Sequence, residues 1–478
     1  MAPAGQLQRN SVGFGTVLMQ SIAQIAPAVG ILTTLAFNTR EAGIAAPSAY
    51  LLAFLLAFLA AYSLAQLGRH LPSAGGFFTY VSYTVGPRSG ILVGWLYACV
   101  VSILPGGLSV FTAYVLQVEM QLHFGLALPW PLVAASALCV VAVIGYRGIK
   151  VSGKFLTVLS IMEMLVLVAL AISGVSRPGP GGVSFAGLLP PAAAASHGYF
   201  LAVVLSIFAF TGWEGAAAIA EEARNPRKAV PRAIICSVMV LGAYYVFCSW
   251  GIQLGWGTDE VAKLAQGDEN PAFIVAQRLW GPGWVLVLLA LLNSCLAVCI
   301  ACTVDSSRNW YAMSRAGVIP PWFGSIHARY RTPHHAVLVQ LGAALLTGLG
   351  LGWLATPEQA FFTLGTLGTI IYVIVYSMGN LGVMRLFLGR MRGEFNVLVH
   401  VIFPLASTLS LFLVLYLSFV PLPDPPVSYA PLIAAAMLVA GIALLWKLHR
   451  HPNEAWKTLC GTVIVDEPQA GEDAHAAH

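Results

Sequence analysis

Twelve apolar stretches follow one another along this chain, near residues 14–38, 45–68, 89–118, 130–146, 152–174, 197–222, 229–255, 284–312, 335–353, 358–384, 396–420 and 428–448. Each is long enough to cross a hydrocarbon core of about 30 Å. Inside lipid every backbone polar group has to be satisfied by the span itself or by neighbouring protein, so stretches of this length fold as helices. Hydrophobic residues make up 58% of the chain against 9% charged, with a mean hydropathy of +0.80, which would coat a soluble protein in exposed apolar surface. The expectation is an all-α integral membrane protein with twelve transmembrane helices.

The basic residues orient these helices. With the N-terminus in the cytoplasm, twenty of the 24 Lys and Arg residues fall on the inner side and only Arg40, Arg177, Lys263 and Arg278 on the outer. That bias places both termini in the cytoplasm of a multi-pass cell-membrane protein, and the net charge of +5 then reports topology and implies no nucleic-acid partner. The first span is too long for a signal peptide and is expected to stay attached. Residues 1–13 read as a cytoplasmic N-terminus and 449–478 as a polar, disordered cytoplasmic tail holding Asp466, Glu467, Glu472 and Asp473. Seven of the eight cysteines lie in predicted spans, which argues against an extracellular disulfide framework.

Spans 1 and 6 are each broken near the middle, by Ala26-Pro27-Ala28-Val29-Gly30 and by Thr211-Gly212-Trp213-Glu214-Gly215. Proline removes a donor and glycine loosens a helix, so such breaks sit where the freed backbone groups meet protein, water or a ligand. Five spans precede the sixth, so a repeat of the first five enters from the opposite side. Residues 14–174 and 197–384 can form an inverted five-plus-five pair, with 396–448 peripheral, and paired interruptions in such halves point to a transporter binding site. In span 1, Ala28, Val29 and Gly30 can donate amides to a carboxylate. Carbonyls of Ala23, Gln24 and Ile25 can accept from a cation, and those of Phe208, Ala209 and Phe210 in span 6 would complete an ammonium site. The plain alternative for either break is a proline kink. Phe208, Phe210 and Trp213 surround the second break; Trp213 or Phe208 is the candidate aromatic gate, against simple packing.

Two acids read as lying well inside a span, Glu163 and Glu214. Glu163 lies eleven residues past Ser152, about 16 Å along a helix, close to the midplane. A charge at that depth is costly and marks an ion or proton pathway; the alternative is a carboxyl that only hydrogen-bonds a neighbouring helix. Glu214 can accept a proton, bind a substrate amine or cap the amides freed at the second break. Cys295, Cys299 and Cys302 share a helix face, which reads as small-residue packing in preference to a soft-metal site, and no metal is expected. The loop from Gly257 to Gly283 holds an apolar stretch, Pro271 to Trp280, readable as a lid helix or as a plain connector. No phosphate-binding loop, nucleophile elbow or zinc-protease spacing is present in the sequence, so neither ATP-driven transport nor an enzyme is expected, and no cofactor.

The run Phe208-Ala209-Phe210-Thr211-Gly212-Trp213-Glu214, with Glu221-Glu222-Ala223-Arg224-Asn225-Pro226-Arg227-Lys228 and Pro231-Arg232-Ala233-Ile234, resembles the sixth-span signature of the amino acid-polyamine-organocation permeases. Arg308-Asn309-Trp310-Tyr311-Ala312-Met313-Ser314-Arg315-Ala316-Gly317 is similar to that family's loop after span 8. Leu71-Pro72-Ser73-Ala74-Gly75-Gly76 with Gly86-Pro87 is similar to the segment before span 3. The resemblance implies a LeuT-type fold with discontinuous helices 1 and 6, and transport of amino acids or amines by alternating access through proton coupling or exchange. Carried over by position, a substrate's carboxylate would meet Ala28 to Gly30 and its amine the carbonyls around Phe208 to Thr211. The chain departs from the pattern twice. Pro27-Ala28-Val29-Gly30 replaces the usual Gly-Ser-Gly, removing an amide and adding bulk, and Glu163 falls near where many relatives carry a lysine.

The sequence thus predicts a permease for amino acids or small organic amines, coupled to protons through Glu163 with Glu214 as second candidate. Its alternatives are a sodium-coupled symporter, in which Glu163 holds the ion with span 1 carbonyls, and a membrane sensor or enzyme that translocates nothing. Two buried acids without a buried base lean toward a cationic or amine-bearing substrate. Oligomeric state is not legible.

Overall fold

In the computed structural model, residues 7–191, 197–261, 270–420 and 422–450 are described; the expected polar tail and the loop residues Lys263, Asp268 and Glu269 lie outside them. Among the described residues the fold is all helical, with two isolated β-bridges, Val12 to Ala223 and Ile326 to Pro333. Nine stretches among the described residues are long and apolar enough to cross a membrane, and Trp130–Tyr146 and Gly198–Ala209 are shorter apolar helices. The chain is therefore a multi-pass membrane protein. Its outer face carries large apolar side chains such as Leu346, Leu354, Leu409 and Leu432, each more than two-thirds exposed, as a lipid-facing belt requires.

The first span is two helices, α1 (Phe14–Ile25) and α2 (Pro27–Ala42). Between them Ala26 takes left-handed angles (φ 60°, ψ 73°), because a residue before proline is pushed out of the helical region and Pro27 cannot continue the hydrogen-bond ladder. Helix α3 (Ala46–His70) leads through a short α4 (Phe77–Thr84) to α5 (Pro87–Phe124), then α6 (Trp130–Tyr146) and α7 (Ile149–Ser176).

The same order recurs in the second half. Helix α8 (His197–Ala209) ends at the second break and a short α9 (Gly215–Ala218) follows it. Next come α10 (Pro226–Trp256), a short α11 (Pro271–Trp280), α12 (Val285–Arg315), α13 (His334–Leu354) and α14 (Pro357–Arg385). Helices α15 (Phe403–Leu417) and α16 (Ala430–Arg450) close the chain. The stretch read as a lid is the helix α11, and it is tied down: Asn270 caps its first turn and donates through Nδ2 to the Leu32 carbonyl of α2.

Both broken spans sit in the middle of the bundle. Helix α1 packs on α7, α9, α10 and α12, while α2 packs against α8; α3 packs against α8 and α10, and α5 against α12 and α14. The largest apolar core wraps these elements.

Candidate functional site

The second break is built around Gly212. Its φ of 113° suits glycine, and a methyl group there would sit 2.6 Å from the Gln24 carbonyl oxygen and 2.9 Å from the Ile25 nitrogen. The two breaks therefore touch backbone to backbone. Ser21 of α1 fastens them: its hydroxyl donates to the Trp213 carbonyl (2.7 Å) and accepts from the Ala216 amide (3.1 Å).

A cavity of about 80 Å³ opens between the breaks. Ile25, Ala26, Val29, Gly30, Phe208, Ala209 and Thr211 line it, so the structure gathers residues from both breaks around one space. Ala23, Ala28 and Trp213 do not line it. The Ala23 carbonyl accepts from the Ala26 amide, Ala28 is fully buried, and Trp213 packs against Tyr376 with ring centroids 4.9 Å apart. Of the two candidate gates, Phe208 borders the cavity and Trp213 is core.

Several of the groups named as free are engaged. The Gly30 amide donates to the Ala26 carbonyl and the Val29 amide to the Ser294 hydroxyl (3.1 Å). The Phe208 carbonyl accepts from both the amide and the hydroxyl of Thr211, and the Ala209 carbonyl from Tyr245 (3.1 Å). Gln24, which lines the cavity, has a buried Oε1 with no partner.

The buried acids lie beside this cavity and outside its lining. Glu163 of α7 is fully buried, and neither carboxyl oxygen has a hydrogen-bond partner of normal geometry. The Ser294 hydroxyl and the Ala28 amide face it. Since Ser294 Oγ already accepts from Val29, its proton is free to point to Glu163, which links the first break to that acid.

Glu214 is drawn into a second cluster. Tyr376 donates to its Oε2 (2.5 Å), the Gly212 amide to the same oxygen (3.2 Å), and Tyr97 reaches Oε1 at 3.2 Å. The Tyr97 hydroxyl also lies 2.5 Å from Asp305 Oδ2, and Gln24 Nε2 donates to that oxygen at 2.7 Å. One phenolic proton cannot be donated to two carboxylates at once, so this pair of acids shares a single bridging donor.

Asp305 corrects the sequence reading of only two acids within spans. It sits on α12 ten residues before Arg315, about 15 Å from the helix end; the depth arithmetic that singled out Glu163 would have found it. Tyr97, Tyr376 and Ser294 carry no such signal, because only the packing of α5, α14 and α12 on the breaks gives them a role. A fourth buried acid, Glu222, forms a fully buried ion pair with Arg308, with Nε to Oε2 at 2.7 Å and Nη2 to Oε1 at 3.2 Å.

Comparison with known proteins agrees with this architecture. A family model described as amino acid permease matches residues 16–456. The low-affinity putrescine importer PlaP of Escherichia coli (strain K12) is 26% identical over 315 residues, covering 63% of this chain and 66% of that protein, just under two thirds of its length. The serine/threonine exchanger SteT of Bacillus subtilis (strain 168) is 23% identical over 374 residues, 77% of this chain and 81% of that protein. The branched-chain amino acid permease BcaP of the same organism is 26% identical over 349 residues, 69% and 72% respectively.

Proposed function

Because the chain belongs to the amino acid permease family, we propose that it is a secondary active transporter that moves amino acids or small organic amines by alternating access. The relatives named as a putrescine importer, a serine/threonine exchanger and a branched-chain permease support that substrate range. The observation that carries the reading is the cavity between two touching helix breaks with buried acids beside it. Twelve crossings follow if the 57-residue stretch Phe14–His70 holds two of them and the two shorter apolar helices cross as well. The recurring order of broken span, long helix, short helix and three further helices supports an inverted five-plus-five arrangement of the LeuT type. The positive-inside bias supports cytoplasmic termini.

The coupling ion is a proton, with Glu163 as its carrier. A carboxylate without a partner at this depth is expensive, and a proton or cation completes the site that Ser294 and Ala28 leave unfilled. Glu214, held by Tyr376, Tyr97 and the Gly212 amide, is the second candidate for that role.

The test is uptake into proteoliposomes under imposed gradients. Wild-type accumulation should follow an inward proton gradient, and Glu163→Gln should still exchange substrate while no longer responding to that gradient. Accumulation that ignores pH and follows sodium would replace the proton with sodium at Glu163. Unchanged coupling in the variant removes Glu163 from the mechanism, and no movement of any amino acid or amine refutes transport.

A further inference from the structure

We propose that the cavity selects amino acids with an uncharged, apolar side chain and discriminates against diamines and basic amino acids. The inference rests on the transport reading and narrows it. No charged side chain is among the residues that line the cavity. The wall away from the breaks is made by Leu104, Leu108, Val298, Phe361 and Leu364, with Gly107 and Gly365 leaving room between them. A neighbouring cavity of about 110 Å³ shares Thr33, Thr34, Phe208, Phe361 and Gly365 with the first, and its lining is likewise uncharged.

The acids nearby do not alter this. Glu214 Oε2 accepts from Tyr376 and the Gly212 amide and Asp305 Oδ2 from Gln24, while the single Tyr97 proton serves either Glu214 Oε1 or Asp305 Oδ2; neither acid is in the lining. Glu163 faces Ser294 and Ala28 and is absent from the lining. A second ammonium on the substrate would lose its water with no carboxylate in the lining to meet it. The polar head of the substrate faces the backbone of the two breaks, while the opposite wall is hydrocarbon apart from Cys302 and Tyr372. Three threonine hydroxyls line the cavity, and each donates to a helix carbonyl: Thr33 to Val29, Thr34 to Gly30 and Thr211 to Phe208. They therefore present little donor capacity to a polar side chain.

Gly365 sets the size limit. A methyl group there would lie 3.6 Å from the Phe208 ring, an ordinary contact, so Gly365→Ala fills the cavity without strain. Loss of room for one methylene in an apolar pocket discriminates by on the order of tenfold or more.

The experiment is counterflow in proteoliposomes of the full chain, preloaded in turn with leucine, isoleucine, phenylalanine, alanine, lysine, arginine and putrescine. Leucine, isoleucine or phenylalanine should exchange at least tenfold faster than lysine, arginine or putrescine. In Gly365→Ala, leucine and phenylalanine should lose at least tenfold relative to alanine. Thermal stabilisation of the purified wild type by leucine and its absence with putrescine gives a second readout that does not depend on the variant folding. Exchange of putrescine, lysine or arginine as fast as leucine overturns the selectivity and leaves transport standing. No exchange of any solute overturns transport and the selectivity with it.

Discussion

The Arg308–Glu222 pair allows a quantitative test. Both side chains are about 1% exposed, and the guanidinium meets the carboxylate through two contacts while Nη1 also donates to the Val304 carbonyl. Glu222 in turn holds the start of the chain, since its own carbonyl accepts from the Ser11 and Val12 amides. Removing one partner strands a buried charge, which costs about 3–5 kcal/mol; replacing both by apolar groups of similar volume is often close to neutral. Arg308→Met should therefore lower the folding equilibrium by roughly two to three and a half powers of ten, at about 1.4 kcal/mol per tenfold. Arg308→Met with Glu222→Leu should recover most of that.

The contrasting case lies a turn or two away. Arg315 binds Glu221 at 2.6 Å and 3.0 Å, but the arginine side chain is 32% exposed, and a pair open to solvent contributes about 0–1 kcal/mol. Arg315→Ala should fall in that range after solvent screening. Denaturant unfolding of the purified proteins in one detergent, followed by tryptophan fluorescence, compares Arg308→Met, Glu222→Leu, their double variant and Arg315→Ala. The burial argument is refuted if Arg308→Met costs no more than Arg315→Ala, or if the double variant is as unstable as the sum of its two single variants.

Three further outcomes follow from the site. Gly212→Ala combines left-side backbone angles with a contact of 2.6 Å to Gln24; the strain alone is about 1–3 kcal/mol, so yield and transport should both fall, whereas Gly365→Ala keeps its yield. Tyr97→Phe removes the donor shared by Glu214 and Asp305 and should cost about 1–3 kcal/mol in denaturant unfolding. Adding Asp305→Asn should restore at least about 0.5 kcal/mol of it, and strict additivity would disprove the shared-donor reading. Ser294→Ala removes the acceptor of the Val29 amide and a donor facing Glu163. Its uptake should shift in pH dependence in the same direction as that of Glu163→Gln, and an unaltered pH profile would separate Ser294 from coupling.

The helices and their breaks were legible in the sequence because each depends on local chemistry: a run of apolar residues, a proline without an amide, a glycine at positive φ. Glu163 was legible for a related reason, since depth follows from counting residues along one helix. The partners were hidden. That Val29 gives its amide to Ser294, or that Phe208 faces the cavity while Trp213 is packed on Tyr376, depends on which faces of α12, α8 and α14 meet. A single sequence carries no record of those contacts. Asp305 belongs between the two cases: its depth could be counted, but the basic residues that follow at Arg308 and Arg315 made it look like part of a helix end.

Helix α12 shows how the two groups of acids relate. Ser294 faces Glu163, Val298 and Cys302 line the cavity, and Asp305 meets Gln24 and Tyr97, in that order along one helix. Ser294 and Asp305 are eleven residues apart, about 16 Å, so one acid group lies on each side of the cavity. The first span is fastened to the same helix by a matching series: the Val29 amide to Ser294, Gln20 to the Ala301 carbonyl (3.0 Å) and Gln24 to Asp305. Each of these bonds is buried, and none can stretch far before its partners are left unsatisfied. Any shift of α1 and α2 along α12 therefore has to break bonds at both acid groups together, without contact between Glu163 and Glu214.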